Sequence, residues 1–319
     1  MIQRLFTAAL LVVWSLFSWS PARAGDDAFP EPGASLFRAV DEARGPLAVT
    51  ELRGLWDAWD HLDPEQIEAA LDAAGASPHL GPGPRSYARL LAAYARLRRG
   101  DPAAAAREVE GLGFVTDWIV VGPFDNEGGE GHGRALGPEA EAPGPIVPGR
   151  AYGGKLRPVR PRRVPPGAFR YGFVDGTSLL RPDRKICLVA TTFVAARPGR
   201  PPGDLLAWIG VGGTWKLHWD GEELAADGAE RRYDADRRVV RLPFGPGTHR
   251  FVLKVCTEDV APIFSLRLSD LRGAPDGRLD VSADTARSAE PVPAKGSAAR
   301  PRPASPISGP LDIVERDAL

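Results

Sequence analysis

The second half of the chain alternates strictly, and no other feature limits its fold as much. Trp215, Leu217 and Trp219 point one way along a run in which Lys216, His218 and Asp220 point the other. Phe251, Leu253 and Val255 alternate with Arg250, Val252 and Lys254, and Phe264, Leu266 and Leu268 with Ser265 and Arg267. A two-residue period with one polar face belongs to a half-buried antiparallel strand. Candidate strands cover 169–174, 186–194, 205–211, 214–220, 238–242, 250–256 and 263–269. A shorter apolar run, Trp118 to Val121, stops at Gly122-Pro123. Asp220-Gly221 is a favoured hairpin turn, and Gly245-Pro246-Gly247 marks another reversal. Short strands separated by such turns predict a sandwich or jelly roll.

Upstream the period changes to that of a helix. Leu52, Leu55, Trp56, Trp59 and Leu62 recur at steps of three and four, as do Tyr87, Leu90, Leu91, Tyr94 and Leu97. Asp63-Pro64 and Asp101-Pro102 each supply an N-cap followed by proline at the first helical position, and Gly100 closes the helix between them. The last two helices form an αα-hairpin, weakly like a tetratricopeptide unit. The fold class is therefore α+β: a helical segment (34–112), an antiparallel β-sandwich of jelly-roll type (113–273) and a disordered tail (274–319). The tail is rich in Pro, Ala, Ser and Arg, and it lacks the apolar content to repay ordering.

The N-terminus points to export. Arg4 precedes an uncharged apolar run from Leu5 to Trp19, and Ala22-Arg23-Ala24 offers a small-x-small cleavage site. Residues 1–24 thus read as a signal peptide and 25–33 as a flexible leader, which places the mature chain in the periplasm or outside the cell. The run is too short for a membrane anchor, and no membrane span is expected after cleavage. A net charge of −1 gives the whole chain no bias toward nucleic acid or anionic membrane.

Three pieces carry a family resemblance: Trp118-Ile119-Val120-Val121-Gly122-Pro123-Phe124-Asp125-Asn126-Glu127; Lys216 to Leu224; and the run from Leu242 through Leu253-Lys254-Val255-Cys256 to Phe264-Ser265-Leu266-Arg267-Leu268. Together they resemble the galactose-binding-like β-sandwich module found near the N-terminus of large exported proteins, notably of the myxobacterial type, with tetratricopeptide repeats and often transglutaminase-like domains. The likeness spans 118–273, about half the chain. It implies a sandwich and an exported protein but not sugar binding, since one fold serves many ligands. Cys256 falls where the resembling modules often carry a cysteine in an apolar strand. Cys187 and Cys256 both lie in candidate strands, and a disulfide would need those strands suitably placed. The expectation is two buried free thiols.

Chemistry is sparse. No G-x-S-x-G or HExxH occurs, and neither cysteine has a catalytic signature, so no catalytic residue, metal ligand set or cofactor is expected. The loop Asp125, Asn126, Glu127 gathers oxygen ligands without the calcium-loop order, and His218 and Asp220 stand on the polar side of their strand. These five are the candidate binding residues. Gly210-Val211-Gly212-Gly213-Thr214 reads as a tight turn between strands. The basic run Lys155, Arg157, Arg160, Arg162, Arg163 reads as a solvated loop. Of the four sandwich tryptophans, Trp215 and Trp219 are expected in the core. The expected function is a non-catalytic binding or scaffold module of the cell envelope, recognising a glycan or an envelope protein through sandwich loops. The alternative is an accessory remnant of a larger exported transglutaminase-like or hydrolytic enzyme.

Overall fold

The computed structural model describes residues 33–290, apart from 46–47, 143, 166–167, 170 and 200–202. The expected signal peptide, all of the leader but Gly33, and the tail beyond 290 lie outside the described residues.

The fold is α+β, with helices first and two antiparallel sheets after them. The helices are α1 (Ala34–Glu42), α2 (Ala48–Asp57), α3 (Pro64–Ala76), α4 (Pro82–Arg98) and α5 (Pro102–Glu110). The Asp63 carboxylate accepts from Glu65 N at 2.9 Å, and that of Asp101 from Ala104 N at 2.9 Å, so both expected caps form. Between them, Gly100 N donates to Leu97 O and Asp101 N to Arg96 O, the paired bonds that close a helix at a glycine and turn the chain straight into the next cap.

The strands are β1 (Ile119–Asp125), β2 (Arg162–Arg163), β3 (Val174–Asp175), β4 (Ile186–Ala196), β5 (Leu205–Val211), β6 (Thr214–Trp219), β7 (Glu222–Asp227), β8 (Arg238–Leu242), β9 (Thr248–Thr257), β10 (Ile263–Ser269) and β11 (Leu279–Ser282). The large sheet runs β2-β1-β4-β9-β6-β7, with β11 on β4 beyond the end of β1; the small sheet runs β3-β10-β5-β8. Their facing sides enclose the core. It holds Trp215, Leu217, Trp219, Phe251, Leu253 and Val255 from the large sheet and Phe264, Leu266, Leu268, Ala207 and Ile209 from the small one. The residues that alternate in sequence therefore meet across the sandwich, as their period requires. Asp220 and Gly221 both adopt positive φ (53° and 83°), the mirror-image turn that matches strand twist and favours Asp-Gly.

Helix α4 packs over the outer side of the small sheet. Trp208 points outward from β5 and is buried there, and a Cβ on Gly83 would stand 3.3 Å from its ring. Arg267, outward from β10, is fully buried. It pairs with Asp236 at 2.5 Å, and its guanidinium lies 4.6 Å from the centre of the Trp208 ring.

Several local expectations need correction. Of the candidate strand 169–174, only Val174 enters a strand. Gly122-Pro123 does not end β1; the strand bulges there and continues to Asp125. The sandwich also runs past the expected limit at 273. Leu279–Ser282 pairs with β4, and Ser288 Oγ accepts from Ile146 N at 2.9 Å. Finally, Cys187 and Cys256 are not free thiols. They stand opposite each other on the neighbouring strands β4 and β9, Cα atoms 4.0 Å apart, and are joined in a disulfide. Strand membership alone does not tell which strands are neighbours.

Candidate functional site

The outer side of the large sheet carries Arg250, Val252, Lys254 and Cys256 from β9, Lys216 and His218 from β6, and Cys187 and Val189 from β4. Alternation assigns these positions to the polar or secondary face. That face is not open to solvent. The chain between β1 and β2 folds back over it, with a short helix α6 (Glu130–Gly133) and a turn at Gly137–Glu139, and Phe124, Tyr152, Leu136 and Val159 pack against the disulfide.

Polar anchors hold this cover down. Lys254 is fully buried, and its Nζ donates to Glu139 Oε1 at 2.9 Å and to Arg134 O at 2.7 Å. Burial pulls its pKa below the usual lysine value although Glu139 pushes the other way. The other Glu139 oxygen accepts from Leu136 N at 2.9 Å. Arg250 is also buried and donates to Gly144 O at 2.6 Å and Pro138 O at 3.4 Å. The cover lacks regular structure over most of its length, so its carbonyls need such donors.

Beside the buried pair lies a more open polar group. His218 Nε2 is 3.9 Å from Glu139 Oε1 and 3.8 Å from Glu223 Oε2, and Lys216 Nζ binds Glu223 Oε2 at 2.9 Å. His132, on α6, joins them: Lys216, Lys254, Glu223 and Glu139 all act on its charge. Burial lowers the pKa of both histidines, for His218 against the pull of Glu139 and Glu223. Both are neutral at neutral pH. The Nδ1 atom of each is buried and has no hydrogen-bond partner among the described residues. Glu223, with 45% of its side chain exposed, and Lys216, with 20%, form the rim through which solvent reaches the group.

The five sequence-derived binding residues do not converge. Asp125 and Glu127 face Lys155 at 3.1 and 2.7 Å, and Lys185 reaches Glu127 at 3.1 Å. Hydrogen bonds from the two lysines hold the Glu127 carboxyl below its ordinary pKa. Asn126 is buried: its Nδ2 donates to Thr257 O at 3.1 Å and its Oδ1 accepts from Gly131 N at 2.9 Å. Its role is to close the loop. Asp220 binds His249 Nδ1 at 2.7 Å and accepts from Arg250 N at 2.8 Å, so it fastens the hairpin to β9. Only His218 belongs to the polar group, and it is half-buried where a surface position was expected. The sequence reading missed His132, Glu139, Glu223 and Lys254. Lys254 alone carried a signal, as a cation in the most regular strand.

All four sandwich tryptophans are buried, Trp208 under the helices and the others in the core. Among the described residues no group of three histidine, cysteine or acidic side chains is placed to hold a metal, and no helix is long and apolar enough to cross a membrane. Compared with models of known protein families and with curated proteins, the chain matches none.

Proposed function

We propose that this protein is a non-catalytic binding or scaffold module of the cell envelope, exported to the periplasm or beyond. It recognises its partner at the polar group on the outer side of the large sheet. The observation that carries this reading is the polar group itself, His218 with Lys216 and Glu223, half-buried and open to solvent along the rim that Lys216 and Glu223 form. Donors and acceptors held half-buried, with solvent access on one side, suit hydrogen bonding to an incoming polar ligand. The most deeply buried ionisable groups of this polar group, Lys254 and Glu139, are tied to each other and to backbone, which favours a structural role for them over turnover. The disulfide supports an oxidising compartment. The two-sheet sandwich supports the likeness to galactose-binding-like modules. The four sandwich tryptophans are buried and offer no ring to stack on a sugar, which favours a protein partner over a glycan.

The test sets a glycan array beside photo-crosslinking of cell-envelope proteins, each repeated with Lys216→Ala/Glu223→Ala. The reading expects a ligand held by the parent chain and lost from the variant. Turnover of a hydrolase substrate that the variant abolishes would contradict it, as would binding that the variant leaves intact.

A further inference from the structure

The basic run 155–163 divides in two once folded. Lys155 is held by Asp125 and Glu127, and Arg163 forms a two-pronged pair with Asp117 at 2.6 and 2.7 Å. Among the described residues the other three guanidiniums, of Arg157, Arg160 and Arg162, meet no carboxylate. Arg160 donates to Gly149 O and Arg162 to Leu179 O, bonds that neutralise no charge, and among the described residues Arg157 has no hydrogen-bond or ion-pair partner. Arg157 and Arg162 are close enough for their charges to repel: Arg162 is held below its ordinary pKa by burial and by Arg157. All three are exposed.

Between the paired and unpaired residues stands Leu156, with 77% of its surface exposed, well above Leu271 at 51% and Val147 at 46%. Its loop is not loose. Tyr152 and Val159 exchange both backbone hydrogen bonds, at 2.8 and 2.9 Å, which closes the base of a hairpin. Lys155 then pins the tip, through its N–H to Pro123 O at 2.9 Å and its ammonium to Lys185 O at 2.8 Å. A fixed hairpin thus presents one aliphatic side chain to water, next in the chain to Arg157 and followed within six residues by Arg160 and Arg162, three guanidiniums that no carboxylate compensates among the described residues.

We propose that the tip of this hairpin, with Arg157 on it and Arg160 and Arg162 following its base, is a docking surface for an anionic lipid bilayer. The guanidiniums meet headgroup phosphates as forks that match their oxygens. Leu156 enters the acyl boundary, where an apolar side chain gains what it lacks in water. A soluble polyanion would satisfy the charges and leave Leu156 exposed, so the combination selects a bilayer. The charge is local, since the chain as a whole carries −1, and attraction of this kind acts within a Debye length of the surface.

Vesicle co-sedimentation tests this with the chain lacking residues 1–24, whose apolar run could itself reach lipid; every described residue is retained. Vesicles of phosphatidylcholine alone are compared with vesicles containing phosphatidylglycerol, and heparin-affinity elution supplies the soluble polyanion. Binding is expected only to the anionic vesicles and is expected to weaken with salt. Arg157→Gln/Arg160→Gln/Arg162→Gln should lower it about a hundredfold, at roughly fivefold per basic residue near the surface. Leu156→Ser should weaken vesicle binding several-fold and leave heparin elution unchanged. The proposal is overturned by absence of binding to anionic vesicles, by binding that the triple variant keeps, or by vesicle binding indifferent to Leu156→Ser.

Discussion

The two outer faces of the sandwich are both covered, by different means. Over the small sheet lies α4, whose backbone satisfies itself, together with the loop between β7 and β8; Gly83 of the helix approaches Trp208, while Tyr94 meets Tyr233, and Tyr233 and Asp236 of the loop bind Ser265 and Arg267. Over the large sheet lies the irregular chain between β1 and β2, which brings carbonyls such as Arg134 O, Pro138 O and Gly144 O. Long cations rise from β9 to meet them. A helix can be laid on a sheet mainly by burial of apolar area, whereas a cover without regular structure must be hydrogen-bonded down. One buried ion pair on each side, Arg267–Asp236 and Lys254–Glu139, allows a direct comparison.

The largest effect should come from the disulfide that underlies the loop cover. It spans 69 residues of sequence, and the chain-entropy model assigns such a bridge about 4 kcal/mol. Cys187→Ala/Cys256→Ala should lower the denaturant midpoint accordingly; an unchanged midpoint would show that the cover does not depend on it. Next come the ion pairs. Asp236→Ala leaves Arg267 buried without its counter-charge, and Glu139→Ala leaves Lys254 buried with only the Arg134 carbonyl, each at a cost of about 3 kcal/mol or more. The faces should part when both partners become apolar. Asp236→Leu/Arg267→Met should recover most of the loss against the helices. Glu139→Leu/Lys254→Met should not, since Arg134 O and Leu136 N would stay unpaired. Equal recovery on both sides, read from chemical unfolding, would remove the distinction.

Smaller effects follow from pH. His132 and His218 have folded pKa values below the ordinary 6.5. The unfolded chain therefore binds more protons as pH falls beneath 6.5, and the native state is at full strength above that point. Stability should decline as acidification approaches the folded pKa values. His132→Gln/His218→Gln should flatten that decline, and denaturation midpoints at pH 7.5 and 5.5 would measure it. Smallest of all, Lys155→Ala breaks pairs with half-exposed carboxylates and should cost at most about 1 kcal/mol.

The contrast between the faces also marks what the sequence could reveal. Trp215, Leu217, Phe251, Leu253, Phe264 and Leu266 were legible as core, because a two-residue period assigns sides without knowledge of neighbours. The same pattern sorted Lys254, Arg250 and His218 to a polar side but could not say that another part of the chain would bury it. Glu139 sits in a Gly- and Pro-rich stretch with no period at all, and its role arises only from the fold-back. Strand β7 (Glu222–Asp227) carries no strong alternation and follows from the Asp220-Gly221 turn that precedes it. Cys187 and Cys256 looked like separate strand residues, since pairing of β4 with β9 is a long-range fact. His132 lies on a four-residue helix, too short to leave a periodic trace.

The central claim is that one sandwich carries two covers, one built on a helix that satisfies its own backbone and one irregular, held down by titratable polar anchors. Hydrogen exchange followed between pH 8 and pH 5.5, corrected for intrinsic rates, tests it most directly. Amides of residues 130–160 should lose protection on acidification, as His132 and His218 gain charge beside Lys254, while those of α4 and β10 keep theirs. Loss spread evenly over both faces, or confined to the helices, would contradict the account.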